Sequence, residues 1–191
     1  MRLPSNPRIY ASEAGCGGKK IDKGSRTMFE QVMAMVFAPS DMILMSPAFP
    51  DRGKIPLRHS GDGDDLSPPL AWKDVPEKAR SLALVCHDPD APLVIEGAYG
   101  FVHWVLYNIP ATEKGLPEGC QDFTVGRNDA GGQGYVGPKP PEGHGQHHYF
   151  IWLLALSEDL ELHPGLTMWE LMAEIEPHLI GMNRLVGVYE R

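Results

Sequence analysis

Polar side chains that could bind a ligand or take part in catalysis occur in three patches, each close to an apolar run of the sequence. The first patch is the turn Asp88-Pro-Asp-Ala-Pro92, which closely follows the run Ser81–Cys86. Its carboxylates, Asp88 and Asp90, lie in a segment stiffened by prolines, so holding them in place costs little conformational entropy on folding. Asp-Pro and Ala-Pro are also ordinary turn dipeptides, and a purely structural role is the alternative.

The second patch is a histidine within an apolar run. His103 lies in Phe101-Val-His-Trp-Val-Leu-Tyr107, and alternation along a strand predicts that it faces away from both Val102 and Trp104. A single histidine in a strand is more often a hydrogen-bonded core residue than a functional one, so its role depends on what lies beside it.

The third patch is a loop rich in glycine, proline and histidine that enters the apolar run 149–156. Its residues His144, His147 and His148 include a His-x-x-His pair, which can bind a metal ion. No thiolate lies nearby and a Gly/Pro loop does not give helical ligand spacing, so we expect no metal or other cofactor, with a histidine metal site as the alternative. On a strand that begins at His147, His147 and Tyr149 share one face and His148 takes the other.

The elements that must position these patches are mainly strands. Apolar runs predict strands at 42–45, 81–86, 101–107, 149–156 and 185–189. Their nearly continuous apolar character is typical of strands covered on both faces, as in the inner layers of a sandwich. One helix is predicted after Thr167, which forms a capping box with Glu170, and Pro177 ends or kinks it. The 21 glycines and 18 prolines among 191 residues weigh against a helix bundle.

Composition excludes several classes of protein. A net charge of −8 gives no electrostatic footprint for nucleic acid, and no run of 18 apolar residues exists to span a membrane. The three cysteines, Cys16, Cys86 and Cys120, cannot form a disulfide framework, and their number suits a reducing cytoplasm, where we expect the protein to be found.

The charge also divides the chain into two parts. Residues 1–40 carry six Lys/Arg and three Asp/Glu, whereas residues 41–191 carry 11 and 22. We therefore expect 1–40 to be a poorly ordered N-terminal extension and 41–191 to be one domain. The extension lacks the apolar run of a signal peptide, and its internal methionines leave a downstream start site as an alternative.

Five segments resemble, in order and spacing, the signature of the phosphatidylethanolamine-binding protein (PEBP) family. They are Ser67-Pro-Pro-Leu-Ala-Trp72, Asp88–Pro92, His103–Pro110, Gly137–Tyr149 and Leu185–Arg191. The first and last look like the family's bacterial branch, often called Raf-kinase-inhibitor-like. The resemblance covers residues 42–191 and implies a mainly β fold, a PEBP-like antiparallel β-sandwich with Greek-key connections and a few peripheral helices.

The resemblance also implies a small anion-binding pocket and a cis peptide bond at Ala91-Pro92. The pocket residues implied are Asp88, His103, His147 and Tyr149, walled by Trp72, Asp90, Pro92, Gly137, Pro140 and Pro141. Two positions depart from the bacterial pattern, with Lys139 where a cysteine is common and His148 where an arginine or lysine is common. The chain ends after its last predicted strand, which predicts an open pocket, and the bacterial members suggest a homodimer that covers part of it.

These residues favour an anion receptor over a catalyst. We expect a phosphate-like anion or phosphoethanolamine headgroup to accept hydrogen bonds from His103, His147 and Tyr149. Asp88 would orient a histidine and keep it cationic, so that affinity rises as the pH falls toward 6. The alternative is a phosphomonoester- or metal-dependent hydrolase using Asp88, His103 and His147, although no nucleophile motif is visible. Family relatives regulate kinases by binding them, which makes a phosphoprotein or kinase a further expected partner.

Overall fold

A computed structural model describes residues 40–92 and 99–191. The predicted poorly ordered extension and its alternative start sites lie outside the described residues, except for Ser40. Within the described part the fold is mainly β, with two sheets and one α-helix, as predicted.

The five predicted strands are present, four of them longer than predicted, and four short strands lie where no apolar run predicted one. They are β1 (Ile43–Met45), β2 (Gly53–Lys54), β3 (Leu70–Lys73), β4 (Ser81–Asp88), β5 (Phe101–Pro110), β6 (Gly115–Leu116), β7 (Thr124–Val125), β8 (His147–Leu156) and β9 (Leu179–Tyr189). The helix is α1 (Met168–Ile175), and short 3-10 turns occupy Leu57–His59 and Glu176–His178. β9 begins six residues before the predicted run, because residues 179–184, in which Gly181, Asn183 and Arg184 interrupt the apolar pattern, also pair with β8.

The larger sheet has six strands in the order β2-β9-β8-β4-β5-β7, and the smaller has the order β1-β3-β6. β4 runs antiparallel to both β5 and β8. The C-terminal end of β4 and the N-terminal ends of β5 and β8 therefore lie at the same end of the sheet. The polar residues of all three sequence patches meet at these strand ends.

Apolar side chains cover both faces of the large sheet, which explains the continuous apolar runs. One core lies between the two sheets and includes Leu84, Trp104 and Ile151 from the large sheet with Leu44 and Trp72 from the small one. A second core lies under α1, where Leu171 and Ile175 pack on the opposite face of the large sheet.

The capping box that predicts the helix is present. The Thr167 hydroxyl accepts the Glu170 N–H at 3.2 Å, and the Glu170 carboxylate accepts the Thr167 N–H at 2.8 Å. Regular helix ends at Ile175, and Pro177 lies in the following 3-10 turn, as its missing N–H requires.

Candidate functional site

A cavity of about 230 Å³ opens at the end of the large sheet where β4 ends and β5 and β8 begin. Its wall consists of Asp88, Ala91, Pro92, Phe101, His103, Val136, Gly137, Lys139, Pro140, Pro141, His147 and Tyr149. Eight of the ten residues predicted for the pocket therefore line one cavity. The prediction missed Phe101, which shares the period-two alternation of His103. Its ring contacts the His103 ring at an interplanar angle of 52°, with centroids 4.8 Å apart.

The centre of the site is a buried carboxylate–imidazole pair. Asp88 Oδ2 lies 2.7 Å from His147 Nδ1, and both side chains are at most 3% exposed. A carboxylate oxygen accepts, so Nδ1–H of His147 donates to it and Nε2 is left for another partner. The other carboxylate oxygen of Asp88 accepts the N–H of Asp90 at 2.8 Å, which closes the turn after β4. Asp88 thus fixes both the turn and the orientation of His147.

His144 continues this chain of contacts. Its Nδ1 is 2.8 Å from Nε2 of His147, although His144 itself is exposed. The sequence contained the signal for this contact, since His144 and His147 form the His-x-x-His pair.

His103 reaches the cavity because of a β-bulge. Cys86 pairs with Trp104 while His87 pairs with Val102, so His103 is an extra residue in β5. Its ring lies edge-on to Tyr149, which belongs to the same core as Trp104, whereas Val102 belongs to the core under the helix. The prediction that His103 faces away from Trp104 is therefore wrong, because a bulge places two successive side chains on one side of the sheet.

The His103 ring is neutral near neutral pH. Burial lowers its pKa below the ordinary value of 6.5, against the opposing effects of the Val136 carbonyl and Asp88. Its Nδ1 donates to the Val136 carbonyl at 2.7 Å, so the neutral ring carries its lone pair on Nε2. His103 is therefore an acceptor at Nε2 rather than the cationic donor expected of a phosphate-binding histidine.

The Tyr149 hydroxyl is a buried group without a hydrogen-bond partner among the described residues. Burial, with the nearby Asp88 charge as a smaller cause, raises the pKa of this phenol well above its ordinary value. The hydroxyl is therefore neutral and has a proton to donate. Buried polar groups without a partner are uncommon in folded proteins.

The loop that contains Val136 and Gly137 is held in place by hydrogen bonds from its backbone N–H groups. Asp65 Oδ1 accepts the Gly137 N–H at 2.6 Å, and a Cβ at Gly137 would lie 2.7 Å from the His59 carbonyl oxygen. Only glycine fits this close approach. The neighbouring Val136 N–H donates to the His103 carbonyl at 3.0 Å, so loop and strand hold each other in place.

Comparisons with known proteins agree on one family. Residues 45–190 match the family model described as "Phosphatidylethanolamine-binding protein". The chain belongs to this family. A UPF0098 protein of Methanothermobacter thermautotrophicus is 43% identical over 157 residues, which cover 78% of this chain and 99% of that protein.

Solved structures of PEBP relatives share the fold. A PEBP homologue from Chlamydia trachomatis is 36% identical with a TM-score of 0.74, covering 78% of this chain and 97% of its own. Escherichia coli YbcL, described as a member of the mammalian PEBP family, is 28% identical with a TM-score of 0.73, covering 80% and 99%. The predicted PEBP family and PEBP-like fold are thus confirmed, and the relatives include archaeal as well as bacterial proteins.

Two residues assigned to the PEBP pocket do not line the cavity. Trp72 is 3% exposed in the core between the sheets, and its indole N–H donates to the Glu113 carbonyl at 2.8 Å. Asp90 turns outward, where its carboxylate accepts from the backbone N–H and Nδ1 of His148 at 2.9 and 2.7 Å. Burial opposes ionisation of Asp90, but the His148 bonds outweigh it and lower the carboxyl pKa.

The implied cis bond at Ala91-Pro92 is also wrong, because the described peptide bonds are all trans. The turn is closed instead by the Asp88 carboxylate, which accepts the Asp90 N–H.

The histidine metal site is not assembled. His147 and Tyr149 share the cavity side of β8 and are buried, whereas His148 faces outward to Asp90, as strand alternation predicts. Within residues 40–92 and 99–191 no three His, Cys, Asp or Glu side chains are arranged to hold a metal ion.

Lys139 is the permanent cation among the cavity-lining residues that the structure describes. Its side chain is 56% exposed, and Nζ lies 3.9 Å from Asp62 Oδ1, beyond hydrogen-bond distance. The other oxygen of Asp62 lies 3.1 Å from Arg191 Nε, so Lys139 shares this carboxylate with Arg191. In the part of the chain that the structure describes, no helix is both long and apolar enough to cross a bilayer.

Proposed function

We propose that this PEBP family member binds a small phosphate-containing ligand, either free or as a lipid headgroup, in the cavity beside Asp88. The observation that carries the proposal is the buried pair in which Asp88 holds His147 by Nδ1. With its Nδ1–H bound to the carboxylate, the His147 ring faces an acceptor from Nε2 when that nitrogen also carries a proton. Phosphate oxygens are acceptors of this kind.

The remaining groups complement a phosphate in different ways. The Tyr149 hydroxyl has an unused proton, and Lys139 supplies positive charge at the mouth of the cavity. The lone pair on Nε2 of His103 suits a ligand atom that carries a proton, such as a P–OH or an ammonium group. The cavity of about 230 Å³ has room for a phosphate with a short organic substituent. The chain has a net charge of −8, so its overall electrostatic field repels an anion. The anion must therefore be attracted by these few donors in the cavity.

Calorimetric titration with four probes tests the proposal: inorganic phosphate, phosphoethanolamine, phosphoserine and ethanolamine. We expect the three phosphates to bind and ethanolamine not to bind. Binding of phosphoserine would support a phosphorylated protein partner, such as a kinase, as the physiological ligand. Vesicles with phosphatidylethanolamine, compared with phosphatidylcholine alone, separate a lipid source from a free one. Failure of every phosphate to bind at millimolar concentration would refute the function.

Variants locate the binding in the cavity. His147→Gln removes the oriented imidazole, so we expect phosphate affinity to fall about 10-fold or more. His148→Gln is the matched control, because His148 is the next residue and faces outward. Titrations from about pH 5.5 to about pH 8 test whether a cationic ring contributes, since affinity then falls as the pH rises.

A second candidate function is phosphomonoester hydrolysis. The observation that favours it is the chain Asp88–His147–His144, which resembles the way a general base is oriented for catalysis. The test is release of phosphate from p-nitrophenyl phosphate with and without divalent metal ions. Turnover that His147→Gln abolishes would support the hydrolase, and binding without turnover supports the receptor.

A further inference from the structure

His144 is an exposed residue whose ring nevertheless contacts the buried site. Its neighbours Gly143 and Gly145 have φ of +73° and +88°, and a Cβ on either would meet no atom within 4 Å. The surrounding loop is anchored by long backbone bonds, from Gly143 N to Arg191 O at 3.4 Å and from His144 N to Pro141 O at 3.2 Å. His144 can therefore shift outward without displacing tightly packed atoms.

Only one proton can lie between the two ring nitrogens through which His144 and His147 are in contact. Asp88 accepts the Nδ1–H of His147, so His147 meets His144 through Nε2. In a bond between two imidazole nitrogens one donates and the other accepts, because two N–H groups at 2.8 Å would oppose each other. An acceptor oxygen placed between the rings would let both nitrogens donate.

The carboxylates near this pair already have partners of their own. Asp88 is bonded to His147 Nδ1, Asp90 to His148, and Glu142 lies 3.6 Å from Arg191. Other titratable groups near the pair are His103 from β5, Tyr149 from β8, Tyr189 at the end of β9, Arg191 and Lys139 from the loop. No described carboxylate therefore occupies the gap between Nε2 of His147 and Nδ1 of His144.

We propose that His144 and His147 form a subsite in which Nδ1 of His144 and Nε2 of His147 both donate hydrogen bonds to one oxygen of a phosphate or phosphomonoester. This inference rests on the function proposed above and adds a binding residue from outside the cavity wall. An N–H···O bond is about 2.9 Å long, so an oxygen held by both rings needs nitrogens about 4.5 to 5 Å apart. His144 thus moves outward by about 2 Å when the ligand enters. In the structure, Nδ1 of His144 lies beside Nε2 of His147, at the position that the ligand oxygen would take.

The first experiment compares phosphate affinity by calorimetry in the wild type and three variants. His144→Ala removes one hydrogen bond to a charged ligand, so inorganic phosphate binds about 10-fold more weakly than to the wild type. His144→Asn, whose amide can donate, recovers part of this loss. His163→Ala is the control, because His163 is exposed and lies on the helix side of the sheet. Its backbone carbonyl, and not its ring, accepts a hydrogen bond from the Tyr107 hydroxyl.

The second experiment observes the protons directly. In ¹⁵N spectra of the histidine side chains, phosphate binding takes up one further proton, from H₂PO₄⁻ or from solvent. The single proton shared by Nε2 of His147 and Nδ1 of His144 is then replaced by one N–H on each nitrogen. A loss of affinity in His144→Ala without this second N–H would overturn the subsite and leave His144 only shaping the loop.

The outcomes separate the two proposals. If the wild type binds phosphate and His144→Ala binds it equally or more tightly, the subsite is wrong while the proposed function stands. If the wild type binds no phosphate, the proposed function fails and the subsite fails with it.

Discussion

Two neighbouring aspartate–histidine pairs in this protein have the same geometry and opposite environments. Asp88–His147 and Asp90–His148 each join a carboxylate oxygen to Nδ1 at 2.7 Å. The side chains of the first pair are 3% and 2% exposed, whereas both side chains of the second pair are 41% exposed. The contribution of each pair to stability should therefore be decided by burial alone.

Replacing Asp88 by alanine leaves two donors without their acceptor, Nδ1–H of His147 and the backbone N–H of Asp90. Breaking a buried pair by removing one partner costs about 3–5 kcal/mol, and one unmet buried donor costs about 1–3 kcal/mol. The Asp90 N–H lies closer to the surface and can regain a water partner. We therefore expect a loss near the lower limit, about 3 kcal/mol, which lowers Tm by roughly 6–12 °C for a domain of this size.

Asp90→Ala is the matched control, because it breaks the exposed pair and should cost about 0–1 kcal/mol. Urea unfolding followed by circular dichroism, at near-neutral pH and without ligand, measures both variants. Asp88→Asn keeps the volume and one acceptor oxygen, so its loss should lie between the two. If Asp88→Ala costs no more than Asp90→Ala, burial does not strengthen the first pair and the reasoning is refuted.

Three further predictions concern groups that hold the site and the helix. Because burial lowers the pKa of His103, the unfolded chain binds that proton first, so stability falls as the pH drops below about 6.5, by at most about 1.4 kcal/mol per pH unit. His103→Gln should flatten this part of the stability curve, and an unchanged slope would contradict the neutral ring. Gly100→Ala would place a Cβ 2.3 Å from the Asp88 carbonyl oxygen at a φ of +74°, so we expect urea unfolding to show a loss above about 3 kcal/mol. Gly131→Ala, with a φ of +83° and open space, should lose only about 1 kcal/mol, and equal losses would refute the steric argument. Thr167→Ala should cost about 1 kcal/mol and Thr167→Ser almost nothing, and equal costs would show that the hydroxyl cap does not stabilise α1.

Much of the architecture could be predicted from local pattern. The apolar runs locate the long strands, and the capping box locates the helix start, because both signals depend on residues a few positions apart. Period-two alternation also assigns His147 and Tyr149 to the cavity side and His148 to the outside.

Alternation failed at His103, because a bulge adds one residue to β5 and a pattern of period two cannot anticipate it. Trp72 was misplaced for a related reason. Its position in the PEBP motif does not tell whether the side chain faces the cavity or the space between the sheets, which the pairing of β3 with β1 and β6 decides.

The sequence by itself determined that Asp88, His103 and His147 follow or enter buried strands, and that proline and glycine hold the connecting turns. Only the tertiary structure decided which histidine receives the carboxylate, because Asp88 and His147 are 59 residues apart and meet through the antiparallel pairing of β4 with β8. It also decided that burial leaves His103 neutral and that His144 meets His147. Protonation and partner choice depend on the local dielectric and on contacts between distant segments, and neither is a property of residue order.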